Sequence, residues 1–504
     1  MKNQIIVLLV LVLASSCAVS KNFNPATKYA PETLQEDYAI FKTMLEHEHP
    51  GLYWYTPKDS MDLYFEEGRS RLNDSLTELG FRTVLSYVVA KIRCGHTSVF
   101  PSKKWSHMTD SLRLRPFPLS LKVWPDTAVV TSNLNRRDSV VTRGSLLLSI
   151  EGRPIQQIVD SLFQYLPADG YNLTHKYQTL SNRGTFGSVY TAVFGGKRKY
   201  NVTFRDTLGN IRTANVSLFA PRDTTLRNLP IPKPTTLSKS KRKKLELAAT
   251  RSLRFDSTLS LVTMDLNSFT KDAHLHHFFK ASFKKLRKRH TQNLIIDLRG
   301  NGGGSVNNSN LLTRYITNKP YKIADSLYAI NRDTRFAKYQ QNRFWTWLFM
   351  LTITHKSKDG LYHFRYYERK AFKPKRHNHF NGNVYVLTGG NTFSASTLFI
   401  QTIRAQDNVF VVGEETGGGA YGNNAWLIPD VTLPNTKVRF RLPLFRLVID
   451  KTAVKGRGIP PDEIAEPTVQ AIRRNADFKT EKVLALIRTK MQSGFSKAHT
   501  LNDK

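Results

Sequence analysis

The stretch GGNTFSASTLF, residues 389–399, gathers small and hydroxyl side chains where an apolar run, VYVLT, gives way to a helix-like segment, LFIQTIRAQ. A hydroxyl at a strand-to-helix turn can do either of two things. It can cap the helix by accepting from the first free N–H groups, a job open to Thr392, Ser394 or Ser396. Or it can be a nucleophile, held exposed beside backbone donors at the positive end of the helix dipole. Ser394 is the candidate for the second, which also needs a base and an oxyanion site. LIIDLRGNGGGS, residues 294–305, leaves an apolar strand through a glycine-rich turn. Such turns expose backbone N–H groups and let a ligand approach the main chain. That turn contains neither G-x-G-x-x-G nor a P-loop Lys-Ser/Thr pair, so an oxyanion hole stands beside a phosphate site as a reading. IRCGHTSVF, residues 92–100, supplies the candidate base. His96 follows Gly95 at the end of a helical run and precedes a short strand; a structural histidine is the other reading.

These residues need elements to hold them. Phe41, Met44 and Leu45, then Val84, Val88 and Ile92, recur at helical spacing, so residues 33–116 form a helical N-terminal region. HEHPGLYWYTP, residues 47–57, interrupts it and reads as a loop with aromatic packing; its two histidines lack a third metal ligand. Residues 117–220 are β-rich, with LKVW, AVVTS, SLLLSI and YNVTFRD as short strands. Residues 221–258, rich in Pro, Thr, Lys and Arg, read as a basic linker. SLVTMDL, NLIIDL, NVYVLT and NVFVVG come next, as apolar runs of strand length alternating with helical segments. That pattern predicts an α/β core over 259–476 with a substantially parallel sheet buried on both faces. An aromatic and basic insertion interrupts the core at about 320–380, and 477–504 form a C-terminal surface helix and tail.

The chain has 504 residues, enough for about two to four domains. Residues 1–17, MKNQIIVLLVLVLASSC, read as a signal peptide with a lipobox-like end, and 18–32 as a tether. Cys17 is the expected lipidation site, which leaves Cys94 no disulfide partner. The net charge of +36 is partly clustered, in KSKRKK (239–244) and KKLRKRH (284–290). No nucleic-acid motif accompanies it, so a specific nucleic-acid partner is not expected. A solvated face, or contact with an anionic membrane surface, is the simpler reading.

Taken in order, the motifs resemble the tail-specific, or C-terminal-processing, serine peptidases, especially the tricorn-core-like branch. CGHTSV resembles that family's D-G-H-T segment, and RGSLLLSIEGRPI its PDZ-like domain. IIDLRGNGGG resembles its Asp-x-Arg-x-Asn-x-Gly-Gly segment and TFSASTLF its nucleophile segment. VVGEETGGG and GRGIPPDEIAEPT are similar to the family's segments C-terminal to the nucleophile. The resemblance implies a crotonase-like α/β core and a PDZ-like domain over 117–220 that captures a polypeptide by strand addition. It implies Ser394 as nucleophile, His96 as general base, and backbone N–H groups of Ala395 and of Gly302 or Gly303 as oxyanion donors. No metal or organic cofactor is implied. The sequence departs from the family at several positions. The loop GEETGGGAYG lacks the lysine of the Ser–Lys branch. Lys455 stands where the tricorn-like branch has a glutamate, Thr397 where an acid follows the nucleophile motif, and Cys94 where D-G-H-T has its Asp. Asp450 is the expected substitute on the far nitrogen of His96, with Glu414 and Glu415 behind it.

The reading is therefore an exported serine peptidase, a cell-envelope lipoprotein facing the periplasm, with a polypeptide substrate. Its rivals are a catalytically weak or inactive peptide-binding scaffold on the same fold and a polyanion-binding protein. His96, Ser394 and Gly302 or Gly303 are expected to line one pocket. Lipid at Cys17 has a direct check: metabolic labelling with a palmitate analogue should mark the protein and vanish in Cys17→Ser. A label that persists refutes it.

Overall fold

The computed structural model describes residues 23–112, 117–135, 138–218, 237–332 and 335–493. Cys17 and the proposed signal segment lie outside these residues. The core is a six-stranded sheet in the order Arg251–Asp256, Leu261–Leu266, Asn293–Asp297, Asn383–Thr388, Val409–Gly413, Glu463–Ile464. The first pair is antiparallel and every later pair parallel. The apolar runs are continuous because both faces are covered. Val262, Met264, Leu294, Ile296, Val384 and Val386 pack one way, against helices Leu275–Lys288, Val306–Ile316 and Ala395–Ile403. The alternate residues Leu261, Ile295, Tyr385, Leu387 and Val412 pack the other way, against Val483 and Ile487 of helix Phe478–Ser493.

The tether expected over 18–32 is in part structured: Lys28–Tyr29 pairs with Leu76–Thr77, and helix Pro31–Glu48 begins within it. The linker expected over 221–258 ends earlier: Lys239–Thr250 is a helix and Arg251–Asp256 is the antiparallel edge strand of the core sheet. The helix buries no residue, so its composition matches that of a solvated linker. The strand shows its alternation only through Leu253 and Phe255, too short a pattern to stand out. The insertion at 320–380 joins a second sheet, of five strands. Its order is His355–Lys356, Tyr362–His363, Ser326–Ala329, Phe445–Val448, Gly422–Ala425, so Gly422–Ala425 is an edge.

The β-rich region forms an antiparallel sheet of Leu119–Trp124, Thr127–Asn133, Leu146–Ile150, Lys199–Arg205 and Ile211–Ser217, with Arg153–Pro154 paired beside it. Helices Ile155–Phe163, Leu173–Ser181 and Thr185–Phe194 pack on it around Phe117, Leu162 and Phe186. The helical N-terminal region shares one core with the second sheet. Phe41 meets Phe440 edge to face, with ring centroids 5.1 Å apart. Strand Val99–Phe100 pairs with Arg439–Arg441.

A buried carboxylate seals that junction. Asp37 accepts from the backbone N–H groups of Asn435 (3.0 Å) and Thr436 (2.8 Å) and from the Thr436 hydroxyl (2.6 Å). Removing it orphans three donors. Asp37→Ala should therefore cost roughly 2–4 kcal/mol, read as a lower denaturant midpoint; an unchanged midpoint refutes this role.

Candidate active site

Three of the parallel strands deliver the motifs to one edge of the sheet, where their C-terminal ends meet. Register pairs Asp297 with Leu387 and Thr388 with Gly413, so the glycine turn, the Ser394 turn and the GEETGGG loop leave side by side. Asn301, fully buried, staples the first two together. Its carbonyl accepts from Phe393 N–H (3.1 Å) and the Ser396 hydroxyl (3.1 Å), while its side-chain amide donates to Leu266 O (2.9 Å).

The hydroxyls of TFSAST now separate by task. Thr392 donates to Leu298 O (2.8 Å) and accepts from Gly389 N–H (3.1 Å). Ser396 is held by Asn301. Ser394 sits at the N-cap position of helix Ala395–Ile403, but its side chain makes no capping bond. Its backbone takes φ 56°, ψ −119°, a positive φ for a residue with a Cβ. Such strain costs about 1–3 kcal/mol and is characteristic of a nucleophile elbow. Ser394 opens into a cavity of about 250 Å³ lined also by Gly304, Ala395, Leu398, Trp426 and Leu447.

The backbone N–H groups expected from the glycine turn are placed differently. Ala395 N–H lies at the first turn of the helix and borders the cavity. Gly303 N–H is already donated to Asn301 Oδ1 (2.9 Å), and Gly302 does not border the cavity. Gly304, next in line, does. Gly303 serves instead by being small: a Cβ there would lie 2.7 Å from Ser394 Cβ and 2.9 Å from Ala395 N.

His96 arrives from the end of helix Glu78–Ile92, which stops at Arg93 in the left-handed region (φ 58°). Its turn is pinned from two sides. Gly95 N–H donates to Asp169 Oδ1 (2.8 Å), and His49 Nε2 bonds Thr97 Oγ1 (2.8 Å). The His96 ring packs on Phe393, the residue before Ser394, with centroids 4.9 Å apart. His175 packs on Phe393 as well, at 4.8 Å, and its Nδ1–H donates to Gly390 O (2.7 Å). The histidine is thus brought to the nucleophile segment, but not into hydrogen bonding with Ser394. Both ring nitrogens are buried and lack a partner among the described residues, and the ring does not border the Ser394 cavity. Burial, with His175 and Arg441 nearby, pushes its pKa down to about 3, so the imidazole is neutral, as a base must be.

The carboxylates expected to orient it are engaged elsewhere. Asp450 accepts from Gln401 Nε2 (2.7 Å) and from the hydroxyl (2.6 Å) and N–H (2.9 Å) of Thr452. Glu414 pairs with the buried Lys479 (2.5 Å), and Glu415 with Arg457 (2.8 Å). Lys455 lies over the Trp54 ring. Sequence reasoning missed Asp169, which is 2% exposed. A carboxylate oxygen of Asp169, a ring nitrogen of His96 and the thiol of Cys94 lie within 4.8 Å of one another. Burial raises the Asp169 pKa to about 6 and also raises that of Cys94. The three groups form one close-packed polar cluster. ADG, residues 168–170, carried only a turn signal in the sequence.

Residues 261–465, the span that holds the glycine turn, Ser394 and the GEETGGG loop, match the model of peptidase family S41. The match marks the chain as a serine-type peptidase. Among solved structures it is similar to mature CPAF complexed with lactacystin, at 14% identity and TM-score 0.62, over 92% of this chain and 98% of that one. Mature CPAF alone matches at 14% identity and TM-score 0.61, over 93% and 99% of the two chains. These likenesses extend the shared fold to nearly the whole chain. Comparison with curated proteins finds no match.

Two variants test the site. Gly303→Ala should lower peptidase activity on the order of a hundredfold by displacing Ser394, with the melting transition retained; unchanged activity refutes the packing argument. Cys94→Ala should keep most activity, because the thiol is fully buried and protonated. A loss equal to that of Ser394→Ala would make Cys94 a reactive group.

Proposed function

We propose that this S41 peptidase cleaves polypeptides by attack of Ser394 Oγ on a peptide carbonyl, with His96 as general base. One observation carries the proposal. Ser394 is held in a strained positive-φ conformation, its hydroxyl uncommitted to capping, in a cavity at a helix N-terminus. In the reaction His96 takes the hydroxyl proton and returns it to the leaving amine. The N–H of Ala395, with that of Gly304, receives the oxyanion, worth on the order of 3 kcal/mol per donor in other enzymes. For this the His96 ring must turn from its packed position on Phe393 toward Ser394, a tightening common on substrate binding.

The cavity supports a polypeptide substrate. The edge strand Gly422–Ala425 contributes Asn423 and Ala425 to its wall, and the buried Asn423 Oδ1 has no partner among the described residues. An extended substrate pairing along that edge would supply the missing donor. The 117–220 region as a PDZ-like capture domain, export as a periplasmic lipoprotein, and contact with anionic lipid complete the proposal. The leader-like 1–17, the strand–turn–helix order of 143–162 and the +36 charge support them.

The second reading, an inactive peptide-binding scaffold, is favoured by the unpartnered His96 and by Lys455 in place of a carboxylate. A serine-directed phosphonate separates the two. The peptidase should be labelled at Ser394, and the label should vanish in Ser394→Ala and slow strongly in His96→Ala. No labelling of the wild type would establish the scaffold.

A further inference from the structure

We propose that Asp169 is the carboxylate that positions His96 and holds the charge of its imidazolium during the reaction. The inference rests on the reading of His96 as base. A histidine base needs a group on its far nitrogen that fixes ring and tautomer. Here the family's glutamate is replaced by Lys455, and Asp450, Glu414 and Glu415 are bound to other partners.

Asp169 meets the requirement from a different place in the chain. One of its oxygens lies within 4.8 Å of a His96 ring nitrogen. It is buried, so its field is weakly screened. It is also rigid. Oδ1 accepts Gly95 N–H (2.8 Å), from the residue next to the base, and Oδ2 accepts Gly419 N–H (3.2 Å), from the loop behind Ser394. The adjacent Gly170 N–H donates to Arg93 O (2.9 Å). A carboxylate offers about four lone-pair sites, so two backbone donors leave room for an imidazole N–H. The loop 168–170 thus ties the base segment to the loop beside the nucleophile.

The other groups around the pair cannot take this part. His96 faces Cys94, His175 and Arg441, a protonated thiol, a second imidazole and a cation. Asp169 faces Gly95, Gly419, Arg446 and, across the Cys94 side, Tyr55. Among these groups Asp169 is the one anion.

The test uses the full chain, a fluorogenic peptide and phosphonate titration of active sites. Asp169→Asn should lower kcat/KM per titratable site by roughly a hundred- to ten-thousand-fold, the scale seen when such a carboxylate becomes an amide. The acidic limb of its pH profile should move to lower pH, because the imidazolium loses its anionic partner. Asp169→Glu should recover part of the loss. In the phosphonylated wild type, which needs no variant, a strongly deshielded imidazolium proton should mark the bond to the carboxylate. A purely structural role would lower the titratable fraction and leave the limb in place. Wild-type kcat/KM in Asp169→Asn beside an inactive His96→Ala, an unmoved limb, or absence of the deshielded proton would overturn the proposal alone. An active His96→Ala would overturn it together with the base reading.

Discussion

The site depends on the register of a parallel sheet. Leu294 through Asp297 lie beside Val384 through Leu387, and Val384 through Thr388 beside Val409 through Gly413. Because the strands run the same way, three loops that are far apart in sequence must emerge at one edge. Parallel pairing is set by burial on both faces, since a slip of one residue would exchange Ile296 for Ile295 and send the large side chains to the wrong helices. The position of Ser394 is therefore decided by the core before any catalytic contact is made. Asn301 then converts adjacency into fixed geometry by bonding strand end, glycine turn and nucleophile turn at once.

Strain at Ser394 is tolerated only in that setting. The residue is over-determined by Asn301 on one side, by the close approach of Gly303 on another, and by Gly418, where a Cβ would lie 3.0 Å from Ser394 N. The glycines are required for the main chain to come this close to a serine at positive φ. Their smallness matters more than their freedom to bind anything.

His96 is placed by a different principle. The His96 ring nitrogens and the Asp169 carboxyl sit where water is excluded, and each group shows it: the imidazole is neutral and the carboxyl is pushed up to about 6. Low screening makes a proton arriving on His96 sensitive to the nearest anion. Phe393, between His96 and His175, is both the packing surface for His96 and the chain neighbour of Ser394. Any movement of the Ser394 turn is felt by the histidine through that ring.

The sequence by itself determined the elements and their chemistry. Apolar runs of strand length and the glycine turn were legible because burial on two faces and positive φ restrict residue type locally. Ser394, His96 and Ala395 stand out as candidates because they flank such turns. Gly303 N–H is not free to serve an oxyanion, because Asn301 consumes it, a bond that spacing does not reveal. Asp450 is a plausible acid in sequence, yet its lone pairs serve Gln401 and Thr452. Asp169 was invisible, since its partners lie 74 and 250 residues away. Which strand ends adjoin, which hydroxyl is left free and which carboxylate faces the base are properties of long-range packing. Only the tertiary structure decides them, because local sequence limits what a residue can do and the fold sets what it meets.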